Sequence, residues 1–166
     1  GSWLTFGNQI TDDVAEDLMK IAYEAGVNFF DNAEGYAFGQ SETVMGKALK
    51  NLGWDRTSYL VSSKVFFGSR RNPMPNQTGL SRKHIVEACH EALSRLQTDY
   101  LDLYFCHRPD PSVSVVEIVR TMNTLIAQGK ILYWGTSEWS AVQIMEANAA
   151  ARDLGLEGPA MEQPQY

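Results

Sequence analysis

The chain has 166 residues, of which 44% are hydrophobic and 20% charged, and its formal net charge at pH 7 is −6. This composition is typical of one globular domain and excludes a disordered, collagen-like or disulfide-rich chain. The acidic balance argues against a protein that binds nucleic acid.

Two cysteines, Cys89 and Cys106, lie inside apolar runs without metal-ligand spacing, which is typical of a protein from a reducing compartment. No apolar run approaches the roughly 20 residues that a membrane span needs. The chain starts without a basic and apolar leader. We therefore expect a cytoplasmic protein that does not insert into a membrane.

The first predicted element is a helix that follows Thr11 as its N-cap. Apolar residues at helical spacing predict that its buried stripe is Val14, Leu18, Ile21, Ala22 and Ala25. Strands and helices then alternate. Strands are predicted at Val27–Phe30, Tyr59–Val61, Tyr100–Phe105, Ile131–Trp134 and Ala160–Met161, with helical stripes over 44–52, 85–96, 115–126 and 142–149. Ser114 with Glu117, and Ser140 with Gln143, predict capping boxes for the last two helices.

Strict alternation of helix and strand predicts an α/β fold with a parallel sheet, either an open doubly wound sheet or a (β/α)8 TIM barrel. The sequence has no glycine-rich phosphate loop of the G-x-G-x-x-G or P-loop kind. This weakens the open-sheet alternative for a nucleotide-binding protein.

A polar residue follows each predicted strand. These residues are Asp31, Lys64, His107, Ser137 and Gln163. Because all strands of a parallel barrel end on the same face, we expect the five side chains to meet at one mouth. Isolated charges are costly to bury, so these groups must pair with one another or meet solvent and ligand.

Tyr36 lies five residues after Asp31, in a loop short enough to return over the strand ends. A tyrosine ionises near pH 10, and a neighbouring ammonium would lower that pKa. Tyr36 is therefore a candidate general acid, with Lys64 and Asp31 as its electrostatic support and His107 as a hydrogen-bond partner for a carbonyl oxygen.

Each of these residues also has a structural interpretation. Tyr36 could cover the core, Asp31 with Lys64 could be a stabilising ion pair, and His107 could cap the turn that follows it. Taken together on successive strands, the four residues favour a catalytic site.

The three histidines, His84, His90 and His107, share no ligand spacing, so no metal site is expected.

With these residues in place, the sequence resembles the aldo-keto reductase family, and within it most resembles the branch that contains the β subunits of voltage-gated potassium channels. The matching stretches are GSWLTFG (1–7), NFFDNAEGY (28–36), SK (63–64), GLSRKHI (79–85), HRPDP (107–111), YWGTSEWS (133–140) and EQ (162–163). They follow the family order through the whole chain.

The resemblance implies a (β/α)8 barrel that binds NADPH across its mouth and reduces a small carbonyl substrate. Tyr36 would be the proton donor, Lys64 and Asp31 its tuning pair, and His107 the group that orients the carbonyl. The positions that match the family's cofactor contacts are Ser2, Trp3, Gln9, Asp31, Ser137, Glu138 and Gln163. Members of the resembling branch often form homo-oligomers, as tetramers or larger rings.

The sequence departs from the family pattern in three ways. Position 107 is His, as in the reductases, where channel-associated members typically carry Asn. Glu138 stands where the channel branch has a basic residue. The chain matches the family from the end of strand one to strand six, whereas a barrel needs about 250 residues. We therefore expect one barrel domain over residues 1–166 that is a fragment of a longer chain.

Three functions stay open on the sequence alone. The first is a reductase with an aromatic substrate pocket, for which the candidate lining residues are Trp3, Tyr36, Phe66, Phe67 and Trp139. The second is a nicotinamide-binding redox sensor, docked on a potassium channel or another partner with little catalysis. The third is a barrel fragment without function.

Overall fold

The computed structural model of the protein describes residues 2, 3 and 5–165, in which five helices alternate with five strands. Gly1 and Leu4 of the first family-like stretch lie outside the described residues. The helices are α1 (Asp12–Glu24), α2 (Gln40–Leu52), α3 (Arg82–Leu96), α4 (Val115–Ala127) and α5 (Ala141–Leu154). The strands are β1 (Phe29–Asp31), β2 (Leu60–Val65), β3 (Leu101–Cys106), β4 (Ile131–Thr136) and β5 (Met161–Glu162). None of the helices in the described part is long and apolar enough to cross a membrane.

The five strands form one parallel sheet in the order β1-β2-β3-β4-β5, so every strand pairs with its neighbours in sequence. A doubly wound sheet reverses its strand order at a switch point, whereas a barrel adds each strand beside the previous one. The sequential order therefore confirms the barrel interpretation: the described residues form a five-stranded arc of a (β/α)8 barrel, with the helices on its outer face.

The helix caps follow the sequence with one exception. The Thr11 hydroxyl accepts a hydrogen bond from the Val14 backbone N–H, and Ser140 with Gln143 forms the predicted capping box. The capping box predicted at Ser114 is wrong, because the Ser114 side chain makes no capping hydrogen bond. The Glu117 carboxylate instead accepts from the backbone N–H of Arg82 and so connects α4 to the start of α3.

The hydrophobic core lies between the sheet and the helices. Large side chains from β3 and β4, such as Tyr104 and Trp134, are fully buried against α3 and α4 together with Ile85 and Met122. The Trp134 indole N–H donates to the backbone carbonyl of Glu157 at 3.0 Å, so its one polar group is paired. A continuous core of this kind holds the strands in register and fixes where their carboxyl ends point.

The buried stripe predicted for α1 is wrong, because none of its five residues, Val14, Leu18, Ile21, Ala22 and Ala25, is buried. Ala15 and Met19 are the buried residues of this helix, whereas Ile21 is 62% exposed. On α5, Met145 is 70% exposed. Helices α1 and α5 are the first and last helices of the described residues, and each packs against one neighbouring helix, α2 or α4. Their other sides have no described helix to cover them, so apolar side chains there meet solvent.

Helices α2 and α3 approach each other at Gly46, which lies in the middle of α2. A Cβ atom at this position would overlap the backbone of Arg95 and would lie 2.7 Å from the carbonyl carbon of Leu96. Backbone atoms cannot move aside as a flexible side chain can, so glycine is required by this close contact.

We expect Gly46→Ala to lower the free energy of unfolding by about 1–3 kcal/mol, because the overlap exceeds the gain in helix propensity. Urea unfolding checks this result. Lys50→Ala, at an exposed position of the same helix, is the matched control and should leave stability nearly unchanged. Equal stability of Gly46→Ala and the natural sequence would contradict the close packing of α2 on α3.

Candidate functional site

The carboxyl ends of the strands open on a cleft of about 710 Å³. This volume lies within the range of about 300–1,000 Å³ that is typical of small-molecule sites. The cleft is lined by Trp3, Asp31, Gly35, Tyr36, Phe67, His107, Arg108, Ser137, Glu138, Gln163, Pro164 and Gln165. Of the five residues predicted from the strand ends, four line the cleft and the fifth, Lys64, lies buried beneath its floor.

The loop after β1 brings Tyr36 back over the strand ends. Its first residues continue the sheet pairing, since the Asn32 N–H donates to the Ser62 carbonyl and the Glu34 N–H to the Lys64 carbonyl. Directly after Tyr36, Ala37 and Phe38 have φ angles of +48° and +55°. Non-glycine residues seldom adopt this left-handed conformation, and it reverses the chain into α2. The loop is thus bonded to the sheet on one side of Tyr36 and turned sharply on the other.

The Lys64 ammonium is the centre of the hydrogen-bond network below the cleft. Its side chain is 1% exposed, and Nζ lies 2.7 and 2.8 Å from the two carboxylate oxygens of Asp31. Nζ also lies 2.8 Å from the backbone carbonyl of Asn32 and 3.3 Å from the Tyr36 hydroxyl. Ser62 donates a further hydrogen bond of 2.6 Å to Asp31. The ion pair therefore joins β1, β2 and the Tyr36 loop.

The pKa of Tyr36 is raised to about 12, chiefly because the phenol is partly buried and secondly because the Asp31 carboxylate is near. The net lowering of this pKa that the sequence predicts is wrong, because burial and Asp31 outweigh any lowering effect of the Lys64 ammonium. Asp31 contacts the ammonium with both oxygens, so Tyr36 faces a nearly neutral pair instead of an isolated positive charge. The Arg108 guanidinium lowers the pKa but does not offset burial.

His107 is neutral at physiological pH. Burial of the ring, followed by the charges of Lys64 and Arg108, lowers its pKa to about 3. The ring packs edge-on against Tyr36 and Phe67, with centroids 5.8 and 5.2 Å apart. Its Nδ1 atom is buried and has no hydrogen-bond partner among the described residues.

Glu34 is a part of the site that the sequence did not single out. Its carboxylate is buried, and Oε1 accepts hydrogen bonds from the backbone N–H groups of Phe66 and Gly68 at 2.7 and 2.9 Å. The His84 ring lies 3.1 Å from the same oxygen. Glu34 therefore fixes the loop that places Phe67 against His107. The signal available in the sequence was the acidic Glu34 between the small residues Ala33 and Gly35, in the loop after a predicted strand.

The residues predicted to contact a cofactor divide into two groups. Trp3, Ser137, Glu138 and Gln163 line the cleft with Asp31. Ser2 is buried behind Asp31, where its hydroxyl and N–H both donate to the Asp31 backbone carbonyl. Gln9 is exposed and is not among the cleft-lining residues. A cofactor contact for Ser2, Gln9 or any of the others stays a prediction.

The aromatic pocket predicted from the sequence is present only in part. Trp3, Tyr36 and Phe67 line the cleft. Phe66 packs against the core, and Trp139 lines a separate surface groove beside Pro109. The two adjacent rings touch edge-on, with centroids 5.1 Å apart, so that Phe66 faces the core and Phe67 faces the cleft.

The cleft fits a flat ring that carries a carboxamide. The Gln163 side chain makes no hydrogen bond to the described residues, and the Ser137 hydroxyl, which donates to the Gln163 carbonyl at 3.0 Å, keeps its lone pairs free. Trp3 is largely exposed and can cover a ring face. These groups offer donors, acceptors and an aromatic surface that a nicotinamide could use.

We expect Asp31→Asn to lower the free energy of unfolding by about 3–5 kcal/mol, because it leaves the Lys64 charge buried without its counter-ion. The double variant Asp31→Asn, Lys64→Met should recover a large part of that loss, since it removes the unpaired charge. Urea unfolding of both variants measures the difference. A double variant less stable than the single one would contradict the interpretation.

We expect the His107 imidazole to stay neutral from pH 8 to about pH 4, because its pKa is about 3 in the folded protein and about 6.5 in an unfolded chain. Below pH 6.5 the unfolded chain takes up a proton at His107 before the folded protein does. The contribution of His107 to the free energy of unfolding is therefore fully present above pH 6.5 and is lost as the pH falls toward 3. Nitrogen-detected NMR of the ring checks the prediction, and His107→Asn assigns the resonance. A titration midpoint above 5.5 would contradict it.

Comparison with known proteins agrees with this geometry. The family model described as "Aldo/keto reductase family" matches residues 1–166. A probable voltage-gated potassium channel subunit beta from Arabidopsis thaliana and one from Oryza sativa subsp. japonica are each 52% identical to the chain over 166 residues. A putative subunit of the same description from Schizosaccharomyces pombe is 51% identical over 167 residues.

These alignments cover 100% of this chain and 50%, 50% and 48% of the three relatives, so the chain spans about half the length of the relatives it matches. The resemblance predicted from the sequence motifs is thereby confirmed. The strand order, the residues at the strand ends and the match over the full chain lead to one conclusion: the chain belongs to the aldo/keto reductase family.

Proposed function

We propose that the protein is an NADPH-dependent oxidoreductase that reduces aldehydes or ketones to alcohols, with Tyr36 as the general acid. The observation that carries this proposal is the position of the Tyr36 hydroxyl, 3.3 Å from the Lys64 ammonium and beside His107 at the cleft. Membership of the aldo/keto reductase family supports it.

NADPH, when bound, would supply the hydride for the carbonyl carbon. Trp3, Ser137 and Gln163 would hold its nicotinamide ring, because they line the cleft and have free hydrogen-bonding capacity or an exposed aromatic face. Glu138 also lines the cleft, and its charge would favour contact with a hydroxyl over contact with a phosphate.

Tyr36 would donate its phenolic proton to the carbonyl oxygen as that oxygen gains negative charge. With a pKa of about 12, the phenol is fully protonated at neutral pH. An alkoxide is a stronger base than a tyrosinate, so the transfer is downhill even from this weak acid. Lys64 then stabilises the tyrosinate at 3.3 Å, and Asp31 holds Lys64 in place.

His107 would orient the carbonyl oxygen. Because Nδ1 is buried, Nε2 is the nitrogen left to meet a substrate. A neutral ring with its proton on Nε2 donates one hydrogen bond to the oxygen and leaves Nδ1 as an unpartnered acceptor. The lowered pKa keeps the ring from competing with Tyr36 as the proton donor.

A second candidate function is that of a nicotinamide-binding subunit docked on a partner protein, with little catalysis. The names of the three relatives, as probable or putative potassium channel β subunits, favour it. His107 favours the reductase, because the channel-associated branch typically carries Asn there. A cytoplasmic location and a homo-oligomeric state stay predictions from the sequence.

We expect Tyr36→Phe to lower the rate of NADPH oxidation with 4-nitrobenzaldehyde by about 100-fold or more, the usual range for removal of a general acid. The affinity for NADPH should change little, because only the phenolic oxygen is lost. Absorbance at 340 nm measures turnover in the complete natural polypeptide, and fluorescence titration measures NADPH binding.

Tyr23→Phe is the matched control, because this phenol hydrogen-bonds to Ser58 on the outer side of the sheet. It should keep full activity. Equal rates in Tyr36→Phe and the natural protein would remove Tyr36 from the mechanism. NADPH binding without turnover in either protein would favour the docked subunit.

A further inference from the structure

Arg108 stands in the cleft with a positive charge that the proposed reaction does not use. It follows His107 directly and lines the cleft beside Tyr36 and Phe67. Its guanidinium carbon lies 5.6 Å from the centroid of the Phe67 ring, so the aromatic face supports the cation. Nη1 donates to the backbone carbonyl of His107 at 2.5 Å, which fixes the group to the strand end.

The Arg108 charge has no carboxylate partner in the described part of the chain. The eight ion pairs within 4.0 Å are formed by Lys47, Arg56, Lys64, Arg70, Lys83, His84 and Arg95 with acidic side chains. Asp31 is already paired with Lys64, and Glu138, the other acidic residue of the cleft, makes no ion pair with Arg108.

The donors of Arg108 are also incompletely used. Nε and Nη2 make no hydrogen bond to the described residues, and Nη1 makes one, to His107. A guanidinium with two free donor groups in one plane matches the two oxygens of a carboxylate. Its charge also acts on the reacting groups, because it opposes the rise in the pKa of Tyr36 and contributes to the lowered pKa of His107.

We propose that Arg108 binds an anionic group of the substrate, so that the preferred substrates are aldehydes or ketones that also carry a carboxylate. This inference rests on the proposed reductase function. The carbonyl oxygen would meet Tyr36 and His107, the carbon skeleton would lie against Phe67, and the carboxylate would meet the free edge of Arg108.

The test uses the complete natural polypeptide with 2-, 3- and 4-carboxybenzaldehyde and with the methyl ester of each. The ester keeps the shape and removes the charge, so the acid-to-ester ratio of kcat/KM isolates the anionic group. A carboxylate–guanidinium contact should raise this ratio about tenfold or more for at least one of the three isomers.

Arg108→Gln should bring the ratio close to one, and Arg108→Lys should keep part of the preference, since it retains the charge without the planar pair of donors. Arg120→Gln is the matched control, because Arg120 is an exposed residue of α4 outside the cleft and its loss changes the net charge by the same amount. The control should keep the ratio of the natural protein.

A ratio near one for all three isomers in the natural protein would overturn the proposal. So would an Arg108→Gln variant that keeps the ratio but binds NADPH more weakly, because Arg108 would then contact the cofactor. If neither acid nor ester is reduced, the reductase function fails. Saturation-transfer NMR then decides: 3-carboxybenzaldehyde binding that is lost in Arg108→Gln supports the anion site, and its absence overturns it.

Discussion

The candidate site depends on one buried charge, the Lys64 ammonium on β2. A lysine that is 1% exposed must find acceptors within the protein, and here the Asp31 carboxylate, the Asn32 carbonyl and the Tyr36 hydroxyl supply them. These contacts join two strands and the following loop. The hydrogen bonds that Lys64 makes beneath the cleft therefore determine the position of Tyr36 at its mouth.

The same pairing decides the protonation of the groups around it. Because Asp31 cancels most of the Lys64 charge, burial dominates at Tyr36 and keeps the phenol protonated. Burial also dominates at His107 and keeps the imidazole neutral. The cleft thus presents two uncharged hydrogen-bonding groups, and the unpaired positive charge of Arg108 stands beside them.

Much of the fold was predictable, because apolar runs of strand length alternate with helical stripes and each strand ends in a polar residue. Three features were not. The helical pattern of α1 predicts that Ile21 is buried, but a pattern does not show whether another element packs on it, and Ile21 is exposed. The Glu117 carboxylate contacts Arg82 on a neighbouring helix instead of capping its own. Whether the pKa of Tyr36 rises or falls depends on how closely Lys64 contacts both Asp31 oxygens. The spacing of these residues in the sequence does not give those distances.

The measurement that tests the central claim most directly is an NMR titration of the ¹⁵N-labelled complete polypeptide with NADP⁺. The indole N–H of Trp3 and the side-chain amide of Gln163 line the cleft, whereas Trp54 stacks on Tyr23 away from it. If the cleft holds the nicotinamide, the Trp3 and Gln163 signals shift with the ligand and the Trp54 indole signal does not. Shifts at Trp54 without shifts at Trp3 or Gln163 would contradict the account.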